Sequence, residues 1–298
     1  MIPVRMGSKR IPKKNIRMLN GKPLVCYIIE TAVKAKKEGL VDEVYINSED
    51  DVFQDFAKQY GVRFYKRHPD FAQDHVTNDD FAYDFMANNP EIKTVIQLLA
   101  TSPFLSLANI ADVSKMIGTQ HFETVVSLKG VQIECLYKGK PVNFDRLQIT
   151  LPSQMLLPVE AYACSIMAWK TASYMERYEN CQGAYHGGNG DIGYYQVSGY
   201  ATLDIDNEED FLLAEQIAQV ISQRKISTPE YYAPERPRQI EVDVPAILQK
   251  DGIASADLFD ANKMIVGTES VIKEKGNSAS WAKRLIDTDC NSATLICQ

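Results

Sequence analysis

Two groupings far apart in the chain have residue types suited to triphosphate chemistry. The first is Arg5-Met6-Gly7-Ser8-Lys9-Arg10-Ile11-Pro12-Lys13-Lys14-Asn15. Seven basic residues (Arg5, Lys9, Arg10, Lys13, Lys14, Arg17, Lys22) fall within the first 22 positions, and the first acid is Glu30. Gly7 and Ser8 let backbone N–H groups approach an anion, and Arg5 and Lys9 supply charge, so the segment suits a polyphosphate. It lacks Gly-x-x-x-x-Gly-Lys-Ser/Thr and is not a Walker A loop; a solvated basic turn is the competing reading. The second grouping is Leu203-Asp204-Ile205-Asp206. Residues two apart on a strand share one face, so both carboxylates could meet one cation. Mg²⁺ takes one or two carboxylates plus substrate phosphates. Asp206 has a rival role as cap of the helix implied by Phe211, Ala214, Ala218 and Ile221, with Glu209 closing the box.

These side chains need elements to carry them. Up to about residue 128 short apolar runs alternate with amphipathic ones. Strands are predicted at Met1–Val4, Val44–Ile46, Arg63–Tyr65, Val95–Leu99 and Thr124–Leu128. Helices are predicted from Pro23, where the missing N–H costs nothing, and at Asp51–Tyr60, Asn78–Met86 (capped by Asn78) and Leu107–Ile117. Such alternation implies parallel pairing and a layered α/β domain. The cationic segment would leave the end of the first strand, where open α/β sheets bind ligands. Between about 129 and 168 the rhythm changes, and Ile133–Tyr137, Gln148–Leu151 and Ala163–Trp169 read as inserted antiparallel strands. Gly183–Gly193 reads as a loop. Regular pattern returns at Ser198–Ile205 and a helix to about Gln223. Ser227–Arg238, with three prolines, reads as a linker or arm. Ala293–Cys297 reads as a strand that pairs with another chain or continues in a longer parent.

Composition narrows the class. The 298 residues are 45% hydrophobic and 24% charged, with net charge −7, which excludes disorder as the main state. The acidic balance disfavours nucleic acid and anionic membrane as partners. No apolar run approaches the ~20 residues of a membrane span, and no signal peptide is visible, so a cytoplasmic location is expected. Six scattered cysteines without a Cys-x-x-Cys pair argue for reduced thiols. His68, His75, His121 and His186 form no zinc motif, and no Gly-x-Ser-x-Gly elbow occurs.

Arg5-x-Gly7-Ser8-Lys9-x-Ile11-Pro12-x-Lys14-Asn15-Ile16, followed by Leu19-x-Gly21-Lys22-Pro23-Leu24, resembles the opening signature of the acylneuraminate cytidylyltransferases, or CMP-sugar synthetases. Thr101-Ser102-Pro103 and Leu203-Asp204-Ile205-Asp206-x-Glu208-x-Asp210-Phe211 resemble two later family segments. The resemblance covers about residues 1–223. It implies a three-layer α/β/α nucleotidyltransferase (Rossmann-like) mixed sheet over 1–225, with an inserted antiparallel dimerisation region at about 129–182. Residues 226–298 would be a C-terminal extension. The implied reaction joins CTP and a sugar acid to give CMP-sugar and pyrophosphate, in a homodimer. By the resemblance Arg5, Gly7, Ser8, Lys9, Asn15, Arg67, Thr101 and Ser102 would bind the nucleotide. Arg5, Lys9, Lys14 and Asp206 would be catalytic, Gln154 would touch the acceptor, and Asp204 and Asp206 would hold Mg²⁺. The attacking hydroxyl could lose its proton to an aspartate or to hydroxide on the metal, and both routes stay open.

The sequence departs from the family pattern beside the phosphate loop and, more, in the acceptor half. Met6 stands where a second glycine is usual, Leu99-Ala100 replaces Gln-Pro, Ser153-Gln154 replaces Arg-Gln, and Ala163-Cys164 replaces Asn-Gly. A nonstandard acceptor is expected. The alternatives are a same-fold nucleotidyltransferase with another acceptor or base, and a non-catalytic nucleotide-binding or assembly protein.

Overall fold

The computed structural model describes residues 1–119 and 121–223, together with five short strand segments between 239 and 297. The chain divides into two compact units, Met1–Arg224 and Lys225–Gln298.

In the first unit, β1 (Ile2–Pro3) is followed by the hairpin β2 (Met18–Leu19) and β3 (Lys22–Pro23), then α1 (Leu24–Lys37), β4 (Tyr45–Ser48), α2 (Val52–Tyr60) and β5 (Arg63–Lys66). There follow α3 (Asn78–Ala87), β6 (Thr94–Leu98), α4 (Leu107–Thr119), β7 (Thr124–Val131), the hairpin β8 (Leu136–Tyr137) and β9 (Lys140–Pro141), β10 (Val159–Lys170), α5 (Thr171–Cys181), β11 (Ile192–Gln196) and α6 (Glu208–Gln223). β1, β4 and β5 pair in parallel in the order β1-β4-β5. β10 pairs antiparallel with both β6 and β7, and β11 adds parallel to β7. Backbone bonds from Met1 N to Ile96 O (2.7 Å) and from Leu98 N to Met1 O (3.0 Å) join the two groups of strands.

Helices cover both faces. Val25, Ile28, Ile29 and Ala32 of α1, Phe53 of α2 and Ile110, Val113 and Ile117 of α4 pack on one side with Ile2, Ile46 and Leu98. Ala82, Phe85 and Met86 of α3 and Tyr174 of α5 pack on the other with Tyr45, Val95 and Trp169. Alternate strand residues therefore face opposite helix layers, as a doubly covered sheet requires. α6 closes a third cluster over Ile11, Leu19 and Leu24. The fold is the layered α/β arrangement expected from the alternation. No helix among the described residues is long and apolar enough to cross a membrane.

Several local expectations change. α3 is capped by Thr77, not Asn78: Thr77 Oγ1 accepts from Asp80 N while Asp80 accepts from Thr77 N, a capping box. Pro23 precedes α1 as its cap, held extended in the β2–β3 hairpin. Ser198–Ile205 is not a strand. The neighbour of β7 is β11, and Gly199–Thr202 is a 3₁₀ turn. Cys164, near the start of the strand expected at Ala163–Trp169, lies in an irregular stretch of β10 between Tyr162 and Met167, with φ +53°. β10 and α5 belong to the central sheet and its helix layer, so the projecting part shrinks to about 132–158. There, Gln148–Leu151 forms no strand, and Ile133–Tyr137 contributes only the short β8. Pro141, Pro152 and Pro158 lack the N–H groups that longer ladders need.

In the second unit β12 (Gln239–Val242), β13 (Ala256–Phe259), β14 (Ile265–Glu269), β15 (Ala282–Lys283) and β16 (Ala293–Cys297) form an antiparallel sheet in the order β12-β16-β13-β14, with β15 also on β16. The strand expected at Ala293–Cys297 thus pairs within the chain. Ser227–Arg238 lies outside the described residues.

Candidate nucleotide-transfer site

Three segments meet at the carboxyl ends of β1 and β6: the cationic loop after β1, the turn Leu99–Ser102 after β6, and the extended stretch Leu203–Asn207 before α6. Thr101 O accepts from Ile205 N at 2.9 Å, tying the second to the third. Lys14 Nζ donates to Ile205 O at 2.5 Å and lies 3.8 Å from Asp206, tying the first to the third. Arg10 pairs with Asp206 at 2.7 Å. Arg17 forms a two-pronged pair with Glu208, both bonds 2.6 Å, and lies 4.0 Å from the Phe211 ring centroid. The basic loop and the aspartates therefore converge.

The loop is held from below. Met6 N donates to Glu49 at 2.8 Å, and Asn15 Nδ2 donates to Arg5 O at 2.9 Å. The Met6 side chain packs against the main core, so it does not crowd the loop. Gly7 is exposed, has no positive φ, and a Cβ there would meet nothing within 4 Å. Ser8 N donates to Met6 O at 3.0 Å. Arg5 and Lys9, the expected phosphate ligands, reach the same carboxylate: Asp74 accepts from Arg5 at 3.1 Å and pairs with Lys9 at 2.6 Å. Lys9 holds that carboxyl below the ordinary range.

Asp204 and Asp206 are not on a strand. Leu203–Asp206 is extended but unpaired, between a 3₁₀ turn and α6. Nor does Asp206 cap α6. Asn207 Oδ1 accepts from Asp210 N at 3.0 Å, and Asp210 accepts from the N–H groups of Asn207 (3.0 Å) and Asp206 (2.9 Å). That reciprocal box frees the Asp206 carboxylate. Asp204 is the more enclosed of the two, and its Oδ1 is buried with no partner. Burial pushes the Asp204 carboxyl above the ordinary range, Thr101 beside it works the other way, and Asp206 adds to the rise. Burial likewise lowers Lys14, while Asp206 and Asp204 pull it back up.

An orphaned carboxylate oxygen beside a second carboxylate fits a hard cation that takes its remaining ligands from substrate and water. No cluster of three or more His, Cys, Asp or Glu residues suited to a metal occurs among the described residues.

Arg67 is placed differently from the expectation. It is 3% exposed, and its guanidinium donates to Val4 O (2.5 Å), Asn47 O (2.7 Å) and Phe71 O (3.4 Å). Burial pulls it down to about 10. It braces the floor of the loop instead of facing a ligand. Ser102 is buried with its Oγ unpartnered, next to the Thr101 carbonyl that holds Ile205. Gln154 lies on the projecting arm, where its carbonyl accepts from Gln132. No hydrogen bond among the described residues joins Gln154 to the other site residues. Glu49 was not singled out by pattern, and Arg10 was counted only among the basic residues of the loop. Arg10 and Asp74 act through partners distant in sequence, while Glu49 carries one signal, its position just past the end of β4.

Residues 1–143 match the family profile described as cytidylyltransferase. An N-acylneuraminate cytidylyltransferase of Oncorhynchus mykiss is 33% identical over 128 residues, 43% of this chain and 29% of the relative. N-acylneuraminate cytidylyltransferase B of Danio rerio is 26% identical over 225 residues, 72% of this chain and 50% of the relative. The chain thus spans half or less of the length of these two relatives. Among solved structures, a CMP:2-keto-3-deoxy-manno-octonic acid synthetase complexed with CTP superposes with TM-score 0.53 at 17% identity, over 75% of this chain and 98% of that one. A 4-diphosphocytidyl-2C-methyl-D-erythritol synthase of Anaerococcus prevotii gives the same TM-score at 13% identity, over 73% and 97%. These two share the fold. Over residues 1–143, which hold the cationic loop, the chain is thus similar to the cytidylyltransferase family.

Proposed function

We propose that this protein transfers the cytidylyl group of CTP to a hydroxyl of a sugar acid of the nonulosonate type, releasing pyrophosphate. The observation that carries the reading is the Lys14 bridge to Ile205, which sets the cationic loop against Asp204 and Asp206. The relatives named for N-acylneuraminate cytidylyl transfer support the substrate class.

In the reaction the acceptor hydroxyl oxygen bonds to the α-phosphorus as the bond from that phosphorus to the α,β-bridging oxygen breaks; pyrophosphate leaves with that electron pair, and the hydroxyl proton passes to an aspartate or to solvent. Arg5 and Lys9 turn from Asp74 to the phosphates, with the N–H groups of Gly7 and Ser8 alongside. Lys14, desolvated and fixed by Ile205, offsets charge that builds on the α-phosphate. Such fixed positive groups act mainly by positioning and electrostatic stabilisation. Asn15 and the Thr101–Ser102 turn border the nucleoside. Asp204 and Asp206 would hold Mg²⁺, which when bound supplies charge neutralisation at the phosphates.

The exposed apolar side chains of the arm support a homodimer: Leu147 (94% exposed), Ile149 (86%) and Leu157 (79%) leave an apolar surface that a second subunit would cover. Light scattering should give twice the chain mass, and Leu147→Asp with Ile149→Asp should halve it. A cytoplasmic location goes with the substrates.

The test is pyrophosphate release with each nucleoside triphosphate against N-acylneuraminate, pseudaminate-type and 3-deoxy-octulosonate acids. Turnover with CTP and one of these is expected. Absence of CTP binding by calorimetry would sink the reading.

A further inference from the structure

Among the described residues the Asp206 carboxylate has two partners, both cations and both on Oδ1: Arg10 at 2.7 Å and Lys14 at 3.8 Å. The two differ in their freedom to leave. The Lys14 side chain is 11% exposed and bonded to Ile205 O, so moving it would strand a buried ammonium. The Arg10 side chain is 66% exposed, and Asp206 is its one side-chain partner among the described residues. Exposed pairs of this kind are weak, so Arg10 can be displaced at little cost.

Arg10 also follows Lys9 directly. Lys9 pairs with Asp74 ahead of α3, and Arg10 pairs with Asp206 ahead of α6. Consecutive residues thus carry the cationic loop to two separate segments of the site. The two contacts have opposite senses. At Asp74 a carboxylate occupies cations of the loop, whereas at Asp206 a cation of the loop occupies a carboxylate of the acid pair.

We propose that Arg10 is an exchangeable counter-ion, which masks Asp206 until a divalent cation arrives and then passes to the triphosphate. The inference rests on the functional reading above and adds to it a residue and a coupling. Entry of the cation releases a guanidinium onto the loop that carries Lys9, so cation and CTP each favour the binding of the other. Lys14 stays in place throughout and keeps the loop joined to the acid pair. Arg10 is then a competitor in cation binding and a ligand in nucleotide binding, two effects of opposite sign in one side chain.

The test uses the full chain and Mn²⁺, a hard cation that takes the same oxygen ligands as Mg²⁺. Binding is read by electron paramagnetic resonance with no nucleotide present. Arg10→Met should tighten Mn²⁺ by about two- to fivefold, the range of an exposed pair. With Mg²⁺ present, calorimetry of the same variant should show the Kd of CTP raised at least about fivefold, as loss of a charge-assisted bond does. Lys13→Met removes a charge from the same loop and should leave Mn²⁺ affinity nearly unchanged. A loosened fold would weaken both ligands. Unchanged or weaker Mn²⁺ binding in Arg10→Met, unchanged CTP affinity, or equal tightening in Lys13→Met would overturn the proposal. Asp204→Asn separates it from the functional reading. If Mn²⁺ binding survives that change undiminished, the cation site falls and the counter-ion with it. If Asp204→Asn abolishes binding while Arg10→Met leaves it unmoved, the cation site stands and Arg10 alone loses its role.

Discussion

The side-chain nitrogen of Lys14 is bonded to the carbonyl of Ile205, the one residue between Asp204 and Asp206. A buried ammonium is thereby held at the junction of the basic loop and the acidic pair, within ion-pair reach of Asp206. Its separation from Asp206 is 3.8 Å.

Lys14→Met keeps much of the side-chain volume and removes the charge. We expect kcat/KM with CTP to fall by at least about 100-fold, close to 3 kcal/mol of transition-state stabilisation. The melting midpoint should move by less than about 5 °C. Steady-state kinetics alongside calorimetry checks both. Retained turnover would place the chemistry elsewhere.

Asp204→Asn should separate activity from stability. The folded carboxyl titrates above its ordinary range because it is buried. Folding therefore favours its protonated form, and the ionised group costs stability at neutral pH. That cost is absent below the ordinary carboxylate range and grows as pH rises through the raised folded value. The variant should be at least as stable as the parent at pH 7, with the advantage shrinking in acid, while turnover falls by about 100-fold or more. Urea unfolding from pH 4 to 8 reads the first, and pyrophosphate release the second.

Asp74 occupies Arg5 and Lys9, the two cations proposed to bind the triphosphate, and on that reading its carboxylate must yield before the phosphates bind. Asp74→Asn should lower KM for CTP by about two- to fivefold, within the range of exposed ion pairs, and leave kcat little changed. A raised KM would instead make Asp74 a ligand of the nucleotide complex.

The Met1 amine gives a pH signature of its own. Folded, it releases its proton near pH 5, against an ordinary value of 8.0. Between those limits the unfolded chain holds a proton that the folded chain lacks, so stability rises with pH across that window. The gain is at most about 4 kcal/mol. Denaturant curves at pH 5.5, 7 and 8.5 should show the slope in the free amine and a smaller slope after acetylation of Met1.

The helix and strand order was legible because a doubly covered sheet imposes a strong alternation on the chain. Ile28, Ala32 and Ala35 announce α1, and Val95–Leu98 announces β6. The convergence of Arg5–Asn15 with Asp204 and Asp206 was legible because their chemistry is complementary. What pattern could not show was competition among neighbours of equal type. Asn207 and Asp210 cap α6 in place of Asp206 and Glu209, and Thr77 caps α3 in place of Asn78, because spacing admits several cap residues and only backbone geometry selects one. The destination of Arg67 was hidden for a similar reason. A guanidinium can serve three backbone carbonyls as readily as a ligand, and its sequence neighbours look the same either way.

Position 7 carries a lesson about what constrains this loop. Among the described residues nothing crowds the α-carbon of Gly7, and its backbone angles are open to any L-residue. Folding alone therefore tolerates alanine there. Any intolerance to a methyl group at that site would have to come from an approaching anion, so the fitness of substitutions at residue 7 reports on occupancy by substrate and not on the integrity of the scaffold.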